Sequence, residues 1–210
     1  MELPPTPPVS SDLESVIATA ELDARVSRRV DDQAESAALL TLTRNLSRWP
    51  DQFFAELVKH ALDLTRAEST GISLLNEAES RFVWPAVAGK LESYLGAGTP
   101  SDFGPCGTVL ERRKPLLFLR PERHFTYLAP VQPPLEEVLL VPFYMESKPV
   151  GTIWAVIHTK VVHFDPEDKR LLEVLSSFAS AAYHSLVASG ALQPLLDLQF
   201  CPGTELDRKL

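Results

Sequence analysis

From Leu13 to Leu46 the apolar positions fall three and four residues apart: Leu13, Val16, Ile17 and Ala20, then Val26 and Val30, then Ala37, Leu39, Leu40, Leu42 and Leu46. No Pro or Gly interrupts residues 11–47, and Ala, Leu, Glu and Arg dominate, so the spacing predicts a continuous or once-broken amphipathic helix. Its stripe thins where Ser27-Arg28-Arg29 and Asp31-Asp32 crowd the chain with charge, so no regular coiled coil is expected. So narrow a stripe needs cover from another helix, which points to a partner chain. A second helix is expected from Pro50, a residue suited to the first helical position, with Asp51 in the first turn. Its buried face is Phe53, Phe54, Leu57, Val58, Ala61, Leu62 and Leu64, and it should end near Arg66-Ala67.

There the period changes from about 3.6 to two. Residues 69–75 and 81–87 read as strands of a hairpin turning through Asn76-Glu77-Ala78-Glu79-Ser80. Residues 89–104 are broken by Gly89, Gly96, Gly98, Pro100 and Gly104 and read as irregular. A short helix is expected over 106–113, a strand over 115–119, and a second irregular stretch over 120–134. Two apolar strands follow, 138–145 and 150–159, joined by Glu146-Ser147-Lys148-Pro149. Pro142 lacks a ladder donor and should sit at an edge-facing or bulged position, and Gly151 should ease a tight hairpin exit. The last helix should start at Asp165-Pro166, where the carboxylate caps the first turn, and stop at Gly190.

Hairpins make an antiparallel sheet, so the expected class is α+β: a central antiparallel sheet, the N- and C-terminal helices on one face, and the irregular middle on the other. The organisation read from the chain is a proline-rich, disordered tail over 1–10, a helical segment and dimer element over 11–48, one domain over 49–189, and a C-terminal tail over 190–210. Hydrophobic residues at 45% suffice for a real core. A net charge of −8 without any Lys/Arg cluster argues against nucleic acid as a partner. The opening Met1-Glu2-Leu3-Pro4-Pro5 lacks the basic and apolar regions of a secretory leader, and no apolar run nears the roughly 20 residues that cross a bilayer. Two cysteines, Cys106 and Cys201, suit a reducing compartment, so no membrane partner and a cytoplasmic location are expected.

Four stretches together resemble the GAF family over roughly residues 50–188. They are Ala67-Glu68-Ser69-Thr70-Gly71-Ile72-Ser73-Leu74 after its leading helix, and Gly104-Pro105-Cys106-Gly107-Thr108-Val109-Leu110 with Lys114-Pro115-Leu116-Leu117-Phe118 behind it. The third is Leu140-Val141-Pro142-Phe143 with Lys148-Pro149-Val150-Gly151-Thr152-Ile153-Trp154, and the fourth is Phe164-Asp165-Pro166-Glu167-Asp168 followed by Leu171-Leu172. The resemblance implies a sheet of five or six antiparallel strands, a small-molecule pocket roofed by the middle segment, and a homodimer formed through the first and last helices. It also implies a sensory module in bacterial signal transduction, of the kind that precedes sensor histidine kinases. No kinase catalytic domain fits in the remaining residues, so any output, such as a kinase, is expected on a separate chain.

Cys106 stands at a helix start, where the dipole favours thiolate. GAF enzymes that reduce free methionine sulfoxide use several cysteines, and bilin-binding relatives use a cysteine beside a histidine. Here Cys201 lies far out in a tail and Gly107 follows Cys106, so a small packing residue is the favoured reading and catalysis is not expected. The five histidines show no HxxxH or HExxH spacing, so no metal is expected, and His124 as a haem ligand is the weaker alternative. No GxSxG elbow or phosphate loop occurs, and Asp31-Asp32 and Glu136-Glu137 read as solvated pairs. The loop Arg120-Pro121-Glu122-Arg123-His124-Phe125-Thr126-Tyr127 reads first as Phe125 and Tyr127 packed on the sheet with the charges in water. Its functional reading puts Arg120, Arg123 or His124 over a pocket for an anionic or planar ligand. The candidate ligand-binding set is therefore Trp84, Phe103, Cys106, Arg123, His124, Phe125, Tyr127 and Trp154, with no cofactor identified. A ligand-free scaffold for protein–protein interaction is the alternative from another class, and a cysteine reductase or bilin or haem sensor is a third.

Overall fold

A computed structural model describes residues 12–48 and 52–199 of the chain. The proline-rich tail, Pro50, Asp51 and Cys201 lie outside the described residues. The two hairpins read from the period-two segments form as β1 (Ser69–Asn76) with β2 (Arg81–Gly89) and β5 (Glu137–Met145) with β6 (Lys148–Ile157). Between them lie β3 (Gly98–Pro100) and β4 (Leu116–Leu119). All pairs are antiparallel, and the sheet order β3-β2-β1-β6-β5-β4 makes β1 and β6 the seam that joins the hairpins. The sheet therefore has six strands. The third, only three residues long, falls in the stretch read as irregular.

Alternation sorts the strand residues onto two faces. Ile72, Leu74, Leu117, Leu139, Val141, Phe143, Ile153 and Ala155 point to one side. They bury against α3 (Phe53–Leu64) and α5 (Pro166–Ser189), whose inward residues are Phe53, Phe54, Leu57, Val58 and Ala61, and Leu172, Leu175, Ala179, Ala182 and Leu186. Helix α5 begins where the sequence places it: Asp165 accepts from the amides of Glu167 and Asp168, Asp168 reciprocates on the Asp165 amide, and Gly190 ends the helix at φ 73°. By length and composition it is the one described helix apolar enough to cross a membrane, yet its apolar stripe forms this core. The opposite face carries Phe82, Trp84, Phe118, Val138, Leu140, Trp154 and Val156, roofed by α4 (Pro105–Arg112) and two 3-10 turns, Pro121–Arg123 and Thr126–Leu128.

Three local features refine the reading of the strands. The register of β1 on β2 shifts between Ile72 and Leu74, so Phe82 and Trp84 face the roof whereas Ala86 and Ala88 face the helices. A bulge of one residue reverses alternation, and Pro85, which has no N–H to donate, lies inside it. Pro142 pairs with Thr152 beyond the end of β4, which reaches only Leu140, so its missing donor faces an unpaired edge as expected. Gly151 is needed for a different reason than its turn: a Cβ there would stand 2.3 Å from the Ser73 carbonyl and 2.4 Å from the Phe143 ring.

The N-terminal segment is not one helix. It forms a 3-10 turn at Leu13–Val16, a short α1 (Thr19–Ala24), an extended crossing, and α2 (Asp32–Arg48). Ile17 bridges to Phe118, the Ala18 amide donates to Leu117 O, and Thr19 Oγ1 accepts from the Leu117 amide, so residues 17–19 cover the edge of β4. Val16 is buried on the roofed side, Leu22 and Leu42 on the helix side. One of the charges that thin the stripe is an anchor: Arg28 reaches Asp165 at 2.9 Å and Asp168 at 2.6 Å, and before it Arg25 forks onto both Glu137 oxygens at 2.9 and 3.0 Å. Glu137, read as solvated, is buried and also accepts from the Phe164 amide. The Asp31-Asp32 pair is exposed, with Asp31 bonding the Ala34 amide.

Candidate functional site

Under the roof lies a cavity of about 50 Å³. Its floor is Trp84, Val138, Leu140, Trp154 and Val156 from the sheet, its end is Thr99 of β3 and Leu91, and its roof is Pro105, Cys106, Pro121, Leu128, Val131 and Leu135. Two indoles pack together in its floor: the rings of Trp84 and Trp154 are 5.3 Å apart and tilted by 57°. Trp154 lies flat on Gly71, its register partner, where a Cβ would meet the ring at 2.1 Å, so only glycine admits that indole. The Trp154 Nε1 donates to Ser73 Oγ at 3.1 Å.

Cys106 occupies the second position of α4, yet it is no activated thiol. Its Sγ donates to Ser73 Oγ at 3.4 Å and accepts from Thr152 Oγ1 at 3.5 Å, wholly buried. Burial pushes the Cys106 thiol up, outweighing the contacts with Ser73 and Thr152 that favour the thiolate. Nearby, the Tyr127 hydroxyl sits over Gly104, and burial holds this phenol far above its ordinary range. Trp84 Nε1, Thr99 Oγ1 and the Tyr127 hydroxyl are buried without a hydrogen-bond partner.

Of the eight candidate residues, the cavity brings together Trp84, Cys106 and Trp154. Phe125 is buried in the same core against Phe118, with ring centroids 6.0 Å apart, one layer behind the cavity wall. Phe103 and His124 pack on Phe125, and Tyr127 packs on Phe103. Arg123 turns away from the cavity: its guanidinium donates to Ser15 O and Leu119 O. The apolar roof residues Leu128, Val131 and Leu135 were not singled out, because an irregular segment has no period to show which way they face. Thr99 was hidden in the same way.

His158 ties this roof to the sheet. Its Nδ1 is 2.8 Å from Pro134 O, its Nε2 is 2.8 Å from Ser69 Oγ, and that oxygen accepts from the Leu91 amide. The arrangement suits a neutral ring that donates from Nδ1, and burial lowers the His158 pKa from its ordinary 6.5. Among the described residues no group of three His, Cys, Asp or Glu is placed to hold a metal ion. Ordinary ligand pockets run to about 300–1,000 Å³. The cavity is far too small for a haem or a bilin in this side-chain arrangement.

A family model for the GAF domain matches residues 47–184. Comparison with curated proteins finds no match. Among solved structures, the chain is similar to the GAF domain of a phosphoenolpyruvate-protein phosphotransferase from Acinetobacter, with TM-score 0.64, 18% identity, and 75% of this chain and 96% of that one covered. It is similar to free methionine-R-sulfoxide reductase from Neisseria meningitidis in complex with its substrate, with TM-score 0.62 and 14% identity, over 79% of this chain and 98% of that one. It is also similar to the phycoerythrobilin-bound GAF domain of a cyanobacterial phytochrome, with TM-score 0.62 and 10% identity, over 75% and 98%. At such identities the likeness carries the fold alone.

Proposed function

The chain belongs to the GAF domain family, and on that premise we propose that it is a non-catalytic, cytoplasmic sensory or regulatory module. Occupancy of its roofed cavity biases the packing of its flanking helices, and a separate output protein, such as a kinase, reads that packing. One observation carries this reading: a single segment is tied at one end to the roof and at the other to the start of α5. Arg112 of α4 pairs with Glu14, Arg123 holds Ser15 O, and Val16 is buried under the roof. A few residues on, Arg25 and Arg28 grip Glu137, Asp165 and Asp168. Displacing the roof therefore pulls on the segment that leads into α2.

The non-catalytic part rests on the buried, uncharged Cys106 thiol. A homodimer through the terminal helices is supported by their exposed faces, which present Ala34, Ala37 and Leu40 on α2 and Ser177, Ala181 and Val187 on α5. Native mass spectrometry at micromolar concentration should give twice the chain mass, and a monomer would remove the dimer.

A cavity-filling substitution, Val131→Phe, serves as a stand-in for occupancy, with hydrogen exchange as the readout. Exchange should change over residues 12–31 and in the first turn of α5, and Arg123→Ala should uncouple the two. A change confined to residues 105–135 would leave the second reading, a ligand-free scaffold for protein–protein interaction. That reading is favoured by the small size of the cavity, about 50 Å³.

A further inference from the structure

We propose that a second pocket, at the hairpin-turn end of the sheet, takes a small zwitterion with an apolar body, the chemistry of a free aliphatic amino acid. It lies where the turns of the two hairpins meet the C-terminal half of α5 and a short helix, α6 (Gln193–Leu196). The pocket measures about 220 Å³. An apolar cavity of about 150 Å³ takes one benzene, so in proportion this one takes roughly nine heavy atoms. Its apolar wall includes Val150, buried in the helix-side core, and Leu196, packed against that core. The roofed cavity shares no lining residue with it, so the proposal stands apart from the sensory reading.

The charges on the wall set the class. One cation, Lys148, and one anion, Glu77, line the pocket, and no other charged side chain does. They pair with each other at 2.7 Å, but at 62% and 63% exposure such a pair contributes little and opens readily. A singly charged ligand that pairs with one leaves the other unpaired, and a neutral ligand uses neither. A zwitterion takes both. Two largely buried side chains add hydrogen-bonding capacity to the wall. Tyr183 is 9% exposed and within electrostatic reach of both Lys148 and Glu77, and its hydroxyl has no hydrogen-bond partner among the described residues. Burial holds this phenol above its ordinary range, so it keeps its proton and is free to donate to a carboxylate. Asn76, 4% exposed, accepts from the Glu79 amide and donates one N–H to Leu196 O, which leaves its second N–H for a ligand.

The test is titration calorimetry on the full chain with three matched probes. They are L-leucine, its methyl ester, which keeps only the ammonium charge, and 4-methylpentanoate, which keeps only the carboxylate. Leucine should bind about tenfold more tightly than either, the worth of one hydrogen bond to a charged group. On Lys148→Met, leucine and the methyl ester should bind alike, and on Glu77→Gln, leucine and 4-methylpentanoate should bind alike. Both side chains are exposed, so the fold survives these changes, and an unchanged denaturation midpoint verifies it. Three results would each overturn the proposal: no binding of leucine at about 10 mM, a singly charged probe that matches leucine on the wild-type chain, or leucine binding that either variant leaves unchanged. None of them bears on the sensory reading, which concerns the roofed cavity.

Discussion

The two faces of the one sheet are finished differently. On the helix face Phe53, Leu57, Ile72, Phe143, Leu172 and Leu175 are wholly buried, and even the embedded hydroxyl of Thr70 donates to Val58 O at 2.7 Å. On the roofed face a cavity of about 50 Å³ remains, and Trp84 Nε1, Thr99 Oγ1 and the Tyr127 hydroxyl are unpaired. Long helices present a continuous stripe that interdigitates with strand side chains at near-crystalline density. A roof of short turns satisfies its own backbone first and meets the sheet at fewer points. The helix face is thus the more completely packed and satisfied of the two, and the roofed face keeps both space and unpaired polar groups.

The largest test of that contrast is Phe143→Ala. Phe143 packs against Phe54 and Tyr183 with centroids 6.3 and 6.2 Å away, and truncation should cost about 3–5 kcal/mol in chemical denaturation. A loss below about 1 kcal/mol would mean that this face is no better packed than the roof. Next comes the tie between the faces. Arg28→Met leaves Asp168 buried without its cation, while Arg66 still serves Asp165. Removing one partner of a buried pair costs about 3–5 kcal/mol, and the retained Arg66 and the partial exposure of Arg28 put this loss at or below the lower end. Exchange should rise over residues 12–31.

A matched pair of smaller changes sharpens the comparison further. Thr70→Val breaks a made hydrogen bond while Val58 O keeps its helical partner, so it should cost about 0.5–1.5 kcal/mol. Thr99→Val removes a hydroxyl that has no partner and should be neutral or stabilising by a few tenths of a kcal/mol. Equal losses in the two melts would show that the roofed face satisfies Thr99 after all.

Acidification gives the smallest effect. The folded His158 pKa lies below 6.5 because burial disfavours the charged ring, with Glu68 opposing that shift and Lys90 reinforcing it. The unfolded chain then takes up the proton first, so the stabilisation is complete above pH 6.5 and is lost as the pH falls through that value towards the folded pKa. Unfolding midpoints of the wild-type chain should drop between pH 7.5 and 5.5, and His158→Gln should flatten that part of the slope. An unchanged slope would remove His158 from the roof's pH response.

Much of the fold was legible in the chain, and the reason is local. The change of period after Ala67, the hairpin turns, and the Asp165-Pro166 start and Gly190 stop of α5 are signals between residues a few positions apart. They suffice for two hairpins between helices, and so for a layered α+β domain. The same locality hid β3, whose Gly98-Thr99-Pro100 is too short to alternate and exists because Phe82 and Val83 pair with it. It also hid the N-terminal anchors. Arg28 looks like a flaw in a helical stripe, and Arg25 like an ordinary helix charge, until Glu137, Asp165 and Asp168, more than 100 residues on, are brought beside them.

For the site, the chain by itself supplied the residue types: two tryptophans, a cysteine and an aromatic, basic loop near a glycine-punctuated turn. Which of them meet was decided by tertiary structure. The one-residue shift opposite Ile72 and Leu74 turns Trp84 to the roof, Gly71 admits the Trp154 indole, and Ser15 O draws Arg123 outward. Periodicity states that neighbouring side chains point to opposite faces. It does not say which face is covered, and only long-range pairing, with its bulges and borrowed carbonyls, settles that.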